Sequence, residues 1–171
     1  LNALADLWRL DLQSGVWTEQ TAAGDAPTAR SGASLVLHEQ RSGYLFGGEQ
    51  RTPTAAPLND LVLLHLSTGS TSQAPRWEDI SSNATGTFPS KRTEHSGTIA
   101  PLCGTACVPS SPSGMYVFGG LDANGRALGD VFMLTLDTLL WTDITSTLTG
   151  TVPVARKGHT ALLVPNSMLF V

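Results

Sequence analysis

Residues 60–66 read DLVLLHL, and the same pattern occurs three times in the chain. The other copies read DLWRLDL at residues 6–12 and DVFMLTL at residues 130–136. In each copy the second, fourth and sixth residues after the aspartate are apolar. An apolar residue at every second position is the pattern of a β-strand with one buried face. The three copies therefore predict three equivalent strands, each beginning at its aspartate.

Further elements recur around this strand. A tryptophan follows each copy, at Trp17, Trp77 and Trp141, and a Pro-x-x-Arg element follows each tryptophan, at 27–30, 89–92 and 153–156. We expect each of the three arginines to open a short strand, at residues 30–36, 92–98 and 156–162. The next strand contains a tyrosine and ends in two glycines, namely Tyr44 with Gly47 and Gly48, and Tyr116 with Gly119 and Gly120.

One repeat therefore contains four strands, which predicts a small antiparallel sheet. Such a sheet cannot bury both of its faces alone and has to stack on its neighbours. The recurring residues fit this packing. Paired glycines allow positive φ and a close approach of two backbones, and tryptophan fills the widening space between neighbouring sheets. Arginine offers several hydrogen bonds that would tie one sheet to the next.

The ordered set of Tyr, Gly-Gly, Trp and Pro-x-x-Arg resembles the kelch repeat over essentially the whole chain. The resemblance implies an all-β fold, a segment of a kelch-type β-propeller with four-stranded antiparallel blades in an incomplete ring. Two positions depart from the pattern: Ala33 stands where the other copies have His95 and His159, and Glu94 stands where they have glycine. The repeats also exceed the ~50 residues expected for kelch, with an insert at 101–113.

We predict a half-blade at residues 1–20, blades at 30–79 and 92–143, and a second half-blade at 156–171. A closed propeller takes about 4 to 8 blades. The remaining blades are therefore expected from a longer parent chain. The alternative is that the half-blades of two copies complete each other, which would give six blades from two chains.

Composition excludes some partners from the prediction. The formal net charge is -4 and no segment concentrates Lys and Arg, so nucleic acid is not expected as a partner. No stretch approaches the ~20 apolar residues that span a bilayer, so membrane insertion is not expected. An intracellular location is favoured. A glycosylation sequon at 83–85 and the pair Cys103 and Cys107 leave secretion open, and the two cysteines form either a local disulfide or two free thiols.

The arginines have two interpretations. Arg30, Arg92 and Arg156 either make structural hydrogen bonds between blades or form a ring of cations that receives an acidic partner peptide. In the kelch domains of ubiquitin-ligase adaptors, arginines at this position contact acidic peptides, so the resemblance supports the second interpretation.

Other polar residues indicate structure rather than chemistry. His95 and His159 lack partners at zinc-ligand spacing and are interpreted as hydrogen-bonded strand residues. Asp122, Asn124 and Gly125 fit an ordinary turn better than a calcium loop. We therefore predict no catalytic residue, metal or cofactor.

The expected function is a non-catalytic scaffold that binds a partner protein or peptide, with specificity in the loops at 49–57, 67–76 and 101–113. One alternative is a kelch-fold enzyme or substrate-handling protein, similar to galactose-oxidase-like copper enzymes, nitrile-specifier proteins or sialic-acid mutarotases. Another is that these blades target a larger catalytic protein, such as a phosphatase.

Overall fold

A computed structural model describes residues 3–39, 41–50, 54, 56–66, 74–100, 114–164 and 167–170, with side chains described as far as Leu162. The described chain is built of strands and two short 3-10 helices, Ser81–Asn83 and Thr145–Thr147. The strands are β1 (Leu7–Leu10), β2 (Trp17–Gln20), β3 (Ala23–Gly24), β4 (Ser34–His38), β5 (Ser42–Phe46), β6 (Glu49–Gln50), β7 (Ala56–Pro57), β8 (Leu61–His65), β9 (Arg76–Asp79), β10 (Thr85–Gly86), β11 (Ser96–Ala100), β12 (Gly114–Phe118), β13 (Val131–Thr135), β14 (Leu140–Asp143), β15 (Ala161–Val164) and β16 (Ser167–Phe170).

The strands form two large sheets and two hairpins of the same kind. Blade 1 has the strand order β4-β5-β8-β9 and blade 2 the order β11-β12-β13-β14, and all neighbours within these sets are antiparallel. The first half-blade is the hairpin β1-β2, and the last half-blade is the hairpin β15-β16. A smaller hairpin, β6-β7, follows the second strand of blade 1. This all-β architecture of four-stranded units, which do not close into a ring within the described residues, confirms the predicted fold class.

Each blade also has a fifth, short strand that the sequence did not predict. β3 pairs in parallel with β9, and β10 pairs in parallel with β14. Each short strand follows the last strand of one unit and joins the outer edge of the next unit. The chain therefore ties consecutive blades together at their periphery before it enters the next blade.

The predicted start of the first strand in each unit was wrong. These strands begin at Ser34, Ser96 and Ala161, not at the arginines. The reason is a change of backbone conformation two residues after each arginine, where Gly32, Glu94 and Gly158 all have positive φ. A residue with positive φ cannot continue an extended strand. The third strands also begin one residue after the aspartate, at Leu7, Leu61 and Val131.

The hydrophobic core lies between the blades. Phe46 and Leu61 of blade 1 pack with Met115, Leu134 and Trp141 of blade 2, and all five side chains are buried. Packing of one sheet face against the next is what the alternating pattern predicts.

A second, smaller cluster joins blade 1 to the first half-blade. It contains the buried side chains of Val62, Leu64 and Trp77, with Leu7 of the first half-blade and Ala22 of the following connection packed against them. Blade 1 therefore buries both of its faces, one toward each neighbour. The three inner strands β4, β11 and β15 lie side by side, with β11 in the middle. Neither short helix of the described residues has the length or the apolar character of a membrane-spanning segment.

Candidate functional site

The arginines of the Pro-x-x-Arg elements lie at one end of each blade, where the chain enters the first strand. In blade 2 the guanidinium of Arg92 donates to both carboxylate oxygens of Asp130, at 2.7 and 2.9 Å, and to the carbonyl of Gly119 at 3.1 Å. Its side chain is 0% exposed. Such a two-bond pairing is the strongest geometry that an arginine makes with a carboxylate.

Blade 1 repeats this arrangement. Arg30 donates to both oxygens of Asp60, at 2.7 and 2.8 Å, and to the carbonyl of Gly47 at 3.0 Å. It also bonds Thr28, the second residue of its own Pro-x-x-Arg element. The arginine thus fastens the loop before the first strand to the end of the second strand and the start of the third.

The predicted hydrogen bonds between blades were assigned to the wrong part of the arginine. Among the described residues, the side chains of Arg30 and Arg92 bond only within their own blades and Pro-x-x-Arg elements. Arg92 contacts the neighbouring blade through its backbone: Arg92 N–H donates to the carbonyl of Leu58, and the carbonyl of Arg92 accepts from Gly48 N–H. Arg156 makes the same two backbone bonds with Leu128 and Gly120.

The paired glycines make this backbone contact sterically accessible. Gly47 and Gly48 have φ of 60° and 92°. A Cβ atom on Gly47 would lie 2.9 Å from the carbonyl oxygen of Arg92. At Gly119 the equivalent Cβ would lie 2.7 Å from the carbonyl oxygen of Arg156. Only glycine combines positive φ with so close an approach of the next blade.

Arg156 differs from the other two arginines. Within the described residues its side chain makes one hydrogen bond, from Nε to the carbonyl of Val154 at 3.1 Å. It has no carboxylate partner like Asp60 or Asp130 there. The prediction that the three arginines receive an acidic peptide stays a prediction. For Arg30 and Arg92, such binding would compete with ion pairs that are already complete.

The two histidines link neighbouring blades. Nε2 of His95 lies 2.9 Å from Oγ of Ser34 in blade 1, and Nε2 of His159 lies 2.9 Å from Oγ of Ser96 in blade 2. His95 also packs edge-on against Phe46. Burial, together with the positive charge of Arg92, lowers the pKa of His95 from 6.5 to about 3. His95 is therefore neutral at physiological pH and acts as an interblade hydrogen-bonding group.

Glu94 occupies a position that the other units give to glycine. Its φ is 55°, close to the 65° of Gly32 and the 63° of Gly158. Glu94 N–H donates to the carbonyl of Gly32, and Gly158 N–H donates to the carbonyl of Glu94. The Glu94 carboxylate also lies 3.3 Å from Lys157 Nζ. A non-glycine residue in this conformation is strained by about 1–2 kcal/mol.

A cavity of about 540 Å³ opens above blade 1. Its walls come from the two Pro-x-x-Arg loops on either side, and its floor contains the Arg30–Asp60 pair. Exposed polar and aromatic groups from both loops, Asp25, Phe88 and Lys91, line it. Sequence reasoning missed this cavity because its residues come from segments more than sixty positions apart and carry no motif. The aspartates at the start of each third strand were recognised as repeating, but not as the partners of the arginines.

The remaining candidates lie at the surface or outside the described residues. Asp122 accepts hydrogen bonds from the backbone N–H groups of Asn124 and Arg126, and Gly125 N–H closes the turn onto the Asp122 carbonyl. This is the ordinary turn that the sequence predicts. Cys103 and Cys107 lie outside the described residues, as do most of the predicted specificity loops.

The tryptophans show how the units stack. Trp77 and Trp141 are 6% and 1% exposed, and each faces the preceding unit of the chain. The four-stranded antiparallel sheets pack face against face, with their first strands close together and their last strands at the outside. This arrangement defines a β-propeller segment. A solved structure of YjhT has this fold: it superimposes on 98% of the chain with a TM-score of 0.65 at 14% identity, and the match covers 52% of YjhT.

Curated relatives identify the repeat. Host cell factor homolog hcf-1 of Caenorhabditis elegans is 33% identical over 154 residues, which cover 85% of this chain. Host cell factor 2 of Homo sapiens is 31% identical over 174 residues, and acyl-CoA-binding domain-containing protein 5 of Arabidopsis thaliana is 30% identical over 155 residues. No protein-family model matches the chain. The chain belongs to the kelch-repeat β-propeller family, and it spans about a fifth of the length of these three relatives.

Proposed function

We propose that the chain is a non-catalytic part of a kelch propeller whose loops bind a partner protein. The proposal depends on one observation: the repeated polar side chains hold the blades together, whereas the exposed side chains of the loops line a cavity. In the two complete blades, the two repeated arginines and the one repeated histidine are engaged in structural bonds, at Arg30, Arg92 and His95. By contrast, the connecting loops present Asp25, Phe88 and Lys91 to solvent, and these residues line a cavity large enough for side chains of a partner.

A rigid scaffold with variable loops suits recognition. Each blade is fixed by its antiparallel ladder, by the arginine–aspartate pair and by backbone bonds to the next blade. The loops that join these elements can then vary without loss of the fold. Residues 49–57, 67–76 and 101–113 are proposed to add specificity, as the sequence predicts.

The alternative of a metal-dependent kelch enzyme has no support from a particular observation. In the part of the chain that the structure describes, no three His, Cys, Asp or Glu side chains are grouped closely enough to hold a metal ion. Tyr44 and Tyr116 lie in second strands of blades, and burial raises the pKa of both phenols. A metal analysis of the intact protein tests this alternative directly.

The binding function is tested with the full-length protein and a partner captured by affinity purification and then purified. Phe88→Ser alters the loop face, and Leu140→Ser alters an equally exposed apolar residue on the last strand of blade 2; the two side chains are 40% and 41% exposed. We expect Phe88→Ser alone to weaken the purified complex. A loop-mediated interaction would be contradicted if Phe88→Ser bound the partner as tightly as wild type and no other loop substitution weakened the complex.

A further inference from the structure

The cavity above blade 1 has a defined composition. We call it the blade-1 groove and define it by Asp25, Asn59, Asp79, Phe88 and Lys91. Asp25 belongs to the loop that enters blade 1, and Phe88 and Lys91 belong to the loop that leaves it. Asn59 Nδ2 donates to the carbonyl of Pro89 at 3.3 Å, which ties the second loop to the blade.

Backbone geometry brings the two carboxylates of the groove together. The parallel pairing of β3 with β9 places Gly24 opposite Trp77. Asp25 N–H then donates to the carbonyl of Trp77 at 3.0 Å. Asp25 is thereby held beside the end of β9, where Asp79 is the last residue.

The free charge of the groove is negative. Asp60 is neutralised by Arg30 in the floor. One oxygen of Asp79 accepts the N–H of Ser81 at 2.9 Å. Among the described residues, the carboxylate of Asp25 makes no hydrogen bond or ion pair, and neither aspartate pairs with a cation. Two carboxylates therefore face a single cation, Lys91, which is itself exposed and without an ion-pair partner in the described residues.

An exposed aromatic ring lies in the same cavity. Phe88 is 40% exposed, although an aromatic side chain gains most from burial. A guanidinium group suits such a site because it is planar, stacks on aromatic rings and forms paired hydrogen bonds with carboxylates. A lysine ammonium would satisfy the charge but not the planar contact.

We propose that the blade-1 groove binds an arginine side chain of a partner protein, with Asp25 and Asp79 as its ion-pair partners and Phe88 as its apolar contact. This inference depends on the proposed binding function and specifies the chemistry of the partner at this site. The charge of this partner group is opposite to that of the acidic partner expected from the sequence. Two of the three arginines that suggested an acidic partner, Arg30 and Arg92, are paired with aspartates inside their blades, whereas Asp25 and Asp79 pair with no cation among the described residues.

Blade 2 provides an internal control. At its equivalent positions Thr87 replaces Asp25, Val152 replaces Phe88 and Ala155 replaces Lys91. Asp143 corresponds to Asp79 and accepts the N–H of Thr145 at 2.9 Å, as Asp79 accepts that of Ser81. Asp143→Asn therefore removes the same charge in the same local structure, without the neighbouring carboxylate and ring.

The test uses phage-displayed random dodecapeptides selected on the immobilised full-length protein. The Asp25→Asn/Asp79→Asn double variant, whose asparagines keep the shape and the hydrogen-bond acceptor, is not used in the selection. Peptides enriched on the wild type are then synthesised and titrated against both proteins. We expect them to share an arginine, and we expect replacement of that arginine by glutamine to weaken binding about tenfold or more, as loss of a charged hydrogen bond predicts.

The variants separate the groove from the rest of the surface. We expect the double variant to bind the selected peptide about tenfold more weakly than wild type does. Asp143→Asn should change the affinity less than twofold, and Lys91→Ala should raise it severalfold. Both aspartates are exposed, so the double variant should keep its melting temperature, which is measured alongside. Acidic selected peptides, or arginine peptides that bind the double variant and wild type equally, would overturn the proposal while leaving protein binding intact. Retention of no peptide or partner at all would overturn both.

Discussion

Trp141 and Trp17 occupy the same position in the repeat but have opposite environments. Trp141 packs against Phe46 of blade 1, with ring centroids 5.0 Å apart, and is 1% exposed. Trp17 is 62% exposed, and Trp8 and Leu10 on the same face of the first half-blade are also exposed. No unit lies against that face within the described residues. The comparison shows that the apolar face of a blade is half of a core, and the neighbouring blade provides the other half.

The largest difference should come from the tryptophans themselves. Trp141→Ala should lower the free energy of unfolding of the 171-residue chain by about 3–5 kcal/mol, because it opens a cavity between two blades. Trp17→Ala should change it by less than about 1 kcal/mol, because that ring is mostly in water. Urea unfolding followed by circular dichroism measures both. Similar losses for the two variants would mean that their environments are alike.

The arginine–aspartate pairs give the next largest effect. Arg92→Ala should cost about 3–5 kcal/mol because it leaves Asp130 without its partner in a partly buried site. Arg92→Lys keeps the charge but not the two-bond geometry and should lie in between. Arg156→Ala, which removes one hydrogen bond to a carbonyl, should cost about 1 kcal/mol. Thermal melts of the three variants rank them, and equal losses for Arg92→Ala and Arg156→Ala would contradict the pairing.

The interblade histidine should make stability depend on pH. Because the pKa of His95 falls from 6.5 to about 3 on folding, the unfolded chain binds a proton in this range that the folded chain does not. The contribution of neutral His95 to the free energy of unfolding is therefore fully present above pH 6.5. It decreases as the pH falls toward 3, by up to about 1.4 kcal/mol per pH unit.

The matched control for this prediction is His95→Ala, which copies Ala33 of blade 1. This variant should be less stable than wild type at pH 7 because the bond to Ser34 is lost. Its stability should also fall less steeply between pH 6.5 and 4.5. Parallel urea midpoints for the two proteins across that range would show that His95 does not titrate on unfolding.

The smallest effect is expected at the strained position of blade 2. Glu94→Gly restores the residue found in the other units and removes about 1–2 kcal/mol of backbone strain. It also loses the exposed pair with Lys157, which is worth about 0–1 kcal/mol, and adds backbone entropy to the unfolded chain. We expect a net gain of up to about 1 kcal/mol by urea unfolding. Lys157→Met, which removes the pair alone, is the control, and a loss of stability in Glu94→Gly larger than in Lys157→Met would contradict the strain.

The sequence predicted the blades well because the second, fourth and sixth residues after each aspartate are apolar in all three copies. Val62 and Leu64, and Phe132 and Leu134, are buried on the faces that the pattern assigns. The short strands β3 and β10 have only two residues each and carry no periodicity, so pattern reasoning could not find them. They depend on backbone bonds to β9 and β14, which exist only once the next blade is present.

The site was harder to predict for a related reason. The sequence identified Arg30 and Arg92 but not the partners of their side chains. The spacing of the Pro-x-x-Arg element is the same whether the arginine bonds within its own blade or to the next blade. The blade-1 groove combines Asp25 with Asp79 and Phe88, which are distant along the chain. Their proximity follows from the parallel pairing of β3, and that pairing was itself invisible in the sequence.

The blades stack with their faces in contact, and Phe46 packs against Trp141 across one interface. A double-mutant cycle with Phe46→Leu and Trp141→Phe measures this contact directly through urea unfolding of the single and double variants. We predict a coupling energy of about 0.5–1.5 kcal/mol for this pair. Phe46 and Trp77 lie in one blade but on opposite faces and serve as the matched pair. The losses of unfolding free energy from substitutions at these two positions should add within about 0.5 kcal/mol. Additivity for Phe46 and Trp141 together with strong coupling for Phe46 and Trp77 would contradict the stacked-blade structure.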